Sequence, residues 1–337
     1  MSVTLRDKFY GCVCGAYIGS VISADDNGGY ALRAGAKTGD LSYALITAIT
    51  EKGGRVTAED TRRVWARGLE QPAPGAFTGE PFERDLLNIA KTRVPAREIG
   101  RFCDYSGLDV FARACHPIGL INAGDIQSAI NDTLEIGQLY QTPNSRGLKW
   151  ACAAAVCVAA AAKPNASINS VLSAIFDNLD ERQRVEARED GWYAGYAGVN
   201  LADEIKAALE YTKTCRDAKD LREAFAPRYN GYGMPYSGDY VNETVTKAVC
   251  VFKTFNGAVE HALPAGLAIS RGSNGAAIIT GAISGALSGA SGIPAEWITQ
   301  ADKNADGHTM RDYAGGLYEA FKRKLRKMRE NAELMEY

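Results

Sequence analysis

The chain has 337 residues, of which 46% are apolar and 23% charged, with a formal net charge of -2. That length and apolar content suffice for a substantial buried core. The near-even charge balance excludes a nucleic-acid track or a basic membrane surface as the dominant feature, leaving small molecules or other proteins as partners.

No run of about 18 uncharged apolar residues occurs. The opening MSVTLRDKFYG carries charge where the apolar core of a signal peptide would stand. A cytoplasmic location is expected. Cys12, Cys14, Cys103, Cys115, Cys152, Cys157, Cys215 and Cys250 are scattered, mostly among Ala, Val and Phe, and read as small buried apolar residues. The C-x-C at Cys12 and Cys14 is too short for a redox C-x-x-C, and His116, His261 and His308 have no i, i+4 partner for zinc.

In chain order, helical character is expected at 3–24, 40–52, 58–70, 123–139, 146–162, 167–178, 200–213, 241–254, 256–267, 275–291 and 310–335. The fold class expected is all-α, as a single domain over 1–337. The segments at 146–162 and 275–291, "CAAAVCVAAAA" and "AAIITGAISGALSGA", carry small apolar residues almost all round, which suits central helices in close approach. The segment "EAFKRKLRKMRENAELMEY" is charged on one face and belongs outside. Between these segments lie long loops at 23–40, 102–120 and 227–244, rich in Gly, Asn, Asp and Tyr, and a shorter one at 268–277. Such loops at helix N-termini are where function is sought.

Four stretches, in this order, carry a family resemblance. They are "GCVCGAYIGSVISA" (11–24), "YALRAGAKTGDLSYALITAI", "GLDVFARACHPIGL", and the long segment 243–297 that includes "AISRGSNGAAIITGAISGALSGASG". Together they resemble the ADP-ribosylglycohydrolase family from near the first residue to about Trp297. The resemblance implies an all-α protein that cleaves an N- or O-glycosidic bond to ADP-ribose. It also implies two Mg²⁺ ions held between a T-D-D-T segment and a G-G-D-x-D-T segment, where hard oxygen ligands suit the cation.

Carried onto this chain, the family pattern is only partly met. Thr38 and Asp40 stand at two positions of the first segment, with Gly39 and Leu41 at the others. Gly272, Asn274 and Gly275 occupy the second segment where Asp, Asp and Thr are usual, and Ser20 replaces the Asp that commonly ends the opening motif. Mg²⁺ is therefore expected from the family but not from these residues. No cofactor is expected, and Thr38 and Asp40 are the residual metal candidates. Both also have a plain structural role, since Thr38 can cap a helix and Asp40 suits its N-terminal end. Arg271 would place positive charge where the ions usually sit.

Glycosidic hydrolysis without metal needs one carboxyl group to protonate the leaving group or activate water, and a second to stabilise the oxocarbenium-like transition state. Asp25, Asp26, Asp40, Asp104, Asp109 and Asp239 lie in loops or at helix N-termini, with Glu80 and Glu83 on another loop. Asp40, Asp104, Asp109 and His116 are the catalytic candidates. Ser20, Thr38, Arg271, Ser273, Asn274, Trp192, Tyr232 and Tyr236 are the substrate-binding candidates, the aromatic ones because rings interleaved with glycine can hold a planar group. The leading expectation is a hydrolase of a ribosyl-type bond in a small molecule, with no nucleic-acid or membrane partner. A catalytically silent ADP-ribose-binding protein and a purely structural scaffold are the alternatives.

Overall fold

The computed structural model describes residues 3–24, 30–32, 40–70, 81–102, 107–143, 145–179, 200–229, 240–270, 273–303 and 308–335, with backbone alone at 40, 68–70 and 81–84. Among these residues the helices are α1 (Leu5–Val21), α2 (Asp40–Lys52), α3 (Ala58–Glu70), α4 (Pro81–Ala90), α5 (Ala96–Ile99), α6 (Val110–Ala114), α7 (His116–Ile121), α8 (Ile126–Gly137), α9 (Arg146–Ala161), α10 (Ile168–Leu179), α11 (Leu201–Tyr211), α12 (Ala218–Phe225), α13 (Val241–Thr254), α14 (Val259–Ile269), α15 (Gly275–Ser288), α16 (Ala295–Lys303) and α17 (Met310–Met335). The fold is all-α, as expected. The only sheet among the described residues is an antiparallel ribbon of β1 (Ile22–Ala24) and β2 (Tyr30–Leu32), in which Ser23 faces Ala31.

Helix starts follow local chemistry. Thr4 accepts the Asp7 amide to open α1, and Asp125, Ser145, Asn200 and Asp217 accept equivalent amides at the heads of α8, α9, α11 and α12. Each such cap satisfies an amide that the helix itself cannot, and contributes about 1 kcal/mol.

The centre is a pair of antiparallel helices, α1 and α15, that meet backbone to backbone. Gly11 lies opposite Gly285, Gly15 opposite Gly281, and Gly19 opposite Ala277. The four-residue spacing on both helices puts these positions on one face. A Cβ added at Gly15 would stand 2.1 Å from the Gly281 carbonyl oxygen, and one added at Gly285 would stand 2.0 Å from that of Gly11. Only glycine allows this approach. Beside the pair runs α9, buried along nearly its whole length and packed by α6, α7, α8, α10, α13 and α15. The Lys8 ammonium donates to the Ala161 carbonyl at 2.7 Å, so α1 closes the C-terminal end of α9.

Several boundaries differ from the sequence reading for identifiable reasons. Asn256 and Gly257 take φ of 52° and 68°, so no helix runs through them and α14 begins at Val259 rather than 256. Gly289, at φ 73°, ends α15 at Ser288 rather than 291. The segment 102–120, read as loop, contains α6 and α7, and the ribbon takes residues 22–24, expected as the end of the first helix, together with 30–32 of the 23–40 loop. Helices as short as α6 and α7 hold fewer than two turns, too few for a hydrophobic period to show. Helices α4, α5, α12 and α16 were likewise not foreseen.

Candidate functional site

The start of α15 is where the candidate residues gather. Asn274, at the N-cap position, donates through its side-chain amide to the carbonyls of Ser20 at 2.9 Å and Ile22 at 3.3 Å. This ties the head of α15 to the tail of α1. Ser273 Oγ accepts the Gly275 amide at 3.4 Å. The Ser20 hydroxyl turns back and donates to the Tyr17 carbonyl at 2.6 Å. Against this edge lies Asp109, the residue before α6, which is completely buried.

Asp109 is held from three sides. Arg113, one turn later, places its Nε 2.9 Å from Oδ1. The other oxygen, Oδ2, rests on Gly275 so closely that a Cβ there would come within 2.1 Å of it. The peptide leading to Asp109 is fixed as well. The Val241 amide donates to the Gly107 carbonyl at 3.0 Å, Leu108 bridges to Tyr240, and the Gln141 side chain donates to the Leu108 carbonyl at 2.8 Å. Arg113 and the positive end of α15 both attract an anion at Asp109.

The structure thus brings Ser20, Asp109, Ser273 and Asn274 to the shared end of α1 and α15. Asp40 is the first residue of α2, which packs against α6 and α7. His116 opens α7 and is buried, not on an open loop. Burial pushes its imidazole down to about 4, with the Arg113 backbone pulling slightly the other way. Asp104, Thr38, Arg271, Trp192, Tyr232 and Tyr236 lie outside the described residues, as do Asp25, Asp26, Glu80 and Asp239.

A second polar cluster adjoins the first through α13. Lys247 is buried, with its ammonium 2.6 Å from Glu243 Oε1, donating also to the Ile269 carbonyl at 2.8 Å. Glu204 on α11 accepts from Asn242 Nδ2 at 3.1 Å and from the Tyr229 hydroxyl. Burial raises the Glu204 carboxyl above its ordinary range, while those two donors and the Arg146 and Arg228 charges pull it back. Sequence reasoning missed this cluster. The i, i+4 pair Glu243 and Lys247 was a readable signal, whereas Glu204 looks like any surface acid until α13 covers it.

An open cleft of about 460 Å³ is lined by residues that include Ser167, Asn169, Lys213, Cys215, Lys253 and Asn256. It lies at the far end of α13 from Glu243 and contains none of the candidate residues. We give it no part in the chemistry.

Of the positions that the sequence resemblance assigns to a dinuclear Mg²⁺ centre, Ser20, Leu41, Asn274 and Gly275 are described with their side chains and none offers a carboxylate, while Thr38, Gly39 and Gly272 lie outside the described residues. Asp109, beside the head of α15, is paired with Arg113, and the Asn274 amide nitrogen donates to two backbone carbonyls. Among the described residues no three His, Cys, Asp or Glu side chains lie together as a metal site. Nor is any described helix long and apolar enough to cross a membrane.

Comparison with known proteins agrees with the fold. A solved structure described as an ADP-ribosylglycohydrolase-related protein complex superposes with a TM-score of 0.61 over 95% of this chain and 98% of that chain, at 13% identity. At that identity the likeness is one of fold. The family model for ADP-ribosylglycohydrolase matches residues 1–326, and the chain belongs to that family. Comparison with curated proteins returns no match.

Proposed function

We propose that this chain is a hydrolase of an N-glycosidic or ribosyl-type bond in an ADP-ribose-like or nucleoside-like small molecule, working without the dinuclear Mg²⁺ centre. The observation that carries the reading is the buried Asp109 carboxylate, paired with Arg113 and seated on the first turn of α15. With Arg113 against it and no exposed surface, Asp109 fixes the edge where the family pattern would put metal ligands rather than touching substrate. The charge that stabilises an oxocarbenium-like centre as the anomeric bond breaks then falls to a loop carboxylate in contact with substrate. In this scheme an acid protonates the leaving group and water adds to the anomeric carbon, its proton passing to a base.

Asp40 or Asp104 takes the part of acid or base in contact with substrate. Ser20, Ser273 and Asn274 form the polar edge, Arg271 supplies positive charge, and Trp192, Tyr232 and Tyr236 hold the planar group. His116 stays neutral in its buried position. A cytoplasmic setting matches such substrates.

A second reading, a silent binding protein, is favoured by the complete burial of Asp109. One assay separates the two. ADP-ribosylated peptide and a panel of nucleosides are incubated with the protein in EDTA and in Mg²⁺, and released ribose or ADP-ribose is measured beside calorimetric binding of ADP-ribose. Turnover in EDTA that disappears in Asp109→Asn or Asp40→Asn, with binding retained, supports the hydrolase. Binding without turnover supports the silent protein. Turnover that requires Mg²⁺ overturns the metal-free scheme, and absence of any ligand leaves a scaffold.

A further inference from the structure

The longest helix, α17, outruns the core it belongs to. Its buried residues Met310, Ala314, Leu317 and Phe321 follow one another at steps of four, three and four, a stripe laid on the rest of the protein. Arg323 then donates to the Thr50 carbonyl at 3.0 Å, and Lys324 reaches Asn122 and the Ile121 carbonyl. Beyond that point every described residue of the helix is exposed. Residues 325–335 project for about 16 Å at ~1.5 Å per residue.

The apolar stripe does not stop where the core stops. Leu325, Met328, Ala332 and Met335 continue it at steps of three, four and three, and exposure rises from 46% at Leu325 to 87% at Met335. This is the a/d spacing of a helix seam. The charges on the projecting segment are segregated. Arg326, Lys327 and Arg329 come first, and Glu330 and Glu333 follow.

We propose that the projecting part of α17 is a self-association surface, on which the same segment of a second copy of this chain packs antiparallel. Leu325 then meets Met335 of the partner subunit, and Met328 meets Ala332 of the partner subunit. The charge order selects this direction. Antiparallel packing sets Arg326, Lys327 and Arg329 beside Glu330 and Glu333 of the partner subunit, whereas parallel packing would set the basic segment against itself. An anionic membrane would suit the basic half but not the acidic tip. The seam is short, so the dimer is weak and concentration-dependent.

The proposal is independent of the catalytic reading, and sedimentation equilibrium of the full chain tests it across a wide concentration range at low and high salt. The expected result is a monomer–dimer equilibrium that weakens with salt. In the double variant Leu325→Glu, Met328→Glu the dissociation constant rises by about a hundredfold or more, with an unchanged thermal melt. A second pair of variants guards against trivial loss. Glu330→Lys, Glu333→Lys and Arg326→Glu, Lys327→Glu, Arg329→Glu should each self-associate poorly but associate with one another when mixed. A wild type that stays monomeric throughout overturns the proposal, as does a dimer that survives the double variant. So does recruitment of the monomer to phosphatidylserine vesicles that the Met328→Glu change abolishes, which would assign the surface to a membrane.

Discussion

The seam between α1 and α15 and the edge at its end are made of opposite materials. In the seam, glycines let two backbones touch, and no side chain intervenes at Gly11, Gly15, Gly281 or Gly285. At the edge, contact passes through side chains: Asn274 to two carbonyls, Asp109 to Arg113, and Lys247 to Glu243 and a helix end. The seam tolerates no added atom, because backbone cannot move aside. The edge can exchange one polar group for another so long as partners remain. The difference is one reason a fold can persist while the residues at such an edge change.

The largest effect is expected from attacking the seam. Gly281→Val puts a branched side chain where even a Cβ would lie 2.1 Å from the Gly15 carbonyl oxygen. Stability should fall by more than about 4 kcal/mol, read from a urea midpoint or from failure to recover folded protein. A polar contact next to the edge comes second. Lys247→Met leaves Glu243 buried without its cation and should cost about 3 to 5 kcal/mol. Adding Glu243→Gln to it should return part of the loss, which a double-mutant cycle measures.

Third comes the buried imidazole behind the edge. His116 titrates at about 4 in the folded chain against an ordinary value of 6.5, so the unfolded chain binds the extra proton between those two pH values. Stability therefore rises with pH through that window and is lost as pH falls from 6.5 toward 4. The full difference is about 3 kcal/mol. Urea midpoints taken across the window should show this slope in the wild type and a flatter one in His116→Gln. The smallest effect has the opposite sign. Gly315 on α17 has open space where its Cβ would be, and Gly315→Ala should raise stability by about 0.5 to 1 kcal/mol. If the two glycine substitutions gave similar changes, the contrast between seam and open helix face would fail.

The long helices were legible because each carries enough residues for a period of 3.6 to appear and small residues mark the two central ones. What the sequence did not show was decided at a distance. Asn256 reads as an ordinary helix-start residue until its positive φ is seen, and α6 and α7 are short helices held by the α9 that packs on both. Asp109 stood out as one loop acid among several, and its salt bridge to Arg113 on the following turn was spelled in the i, i+4 spacing. Glu204 gave no such sign, since its burial comes from Tyr229 and Asn242, far along the chain.

The cysteines give the same core a chemical readout. Cys12, Cys14, Cys115, Cys152, Cys157 and Cys250 are buried, and burial pushes the Cys152, Cys157 and Cys250 thiols up to about 12, while Cys215 is partly open to solvent. A thiolate adds to a maleimide only where the reagent can reach it. Among these seven, Cys215 is therefore the position for a dye or a spin label. The other six act as timers, each alkylated only when the helices around it part, so the order in which they react would trace how this interior comes open.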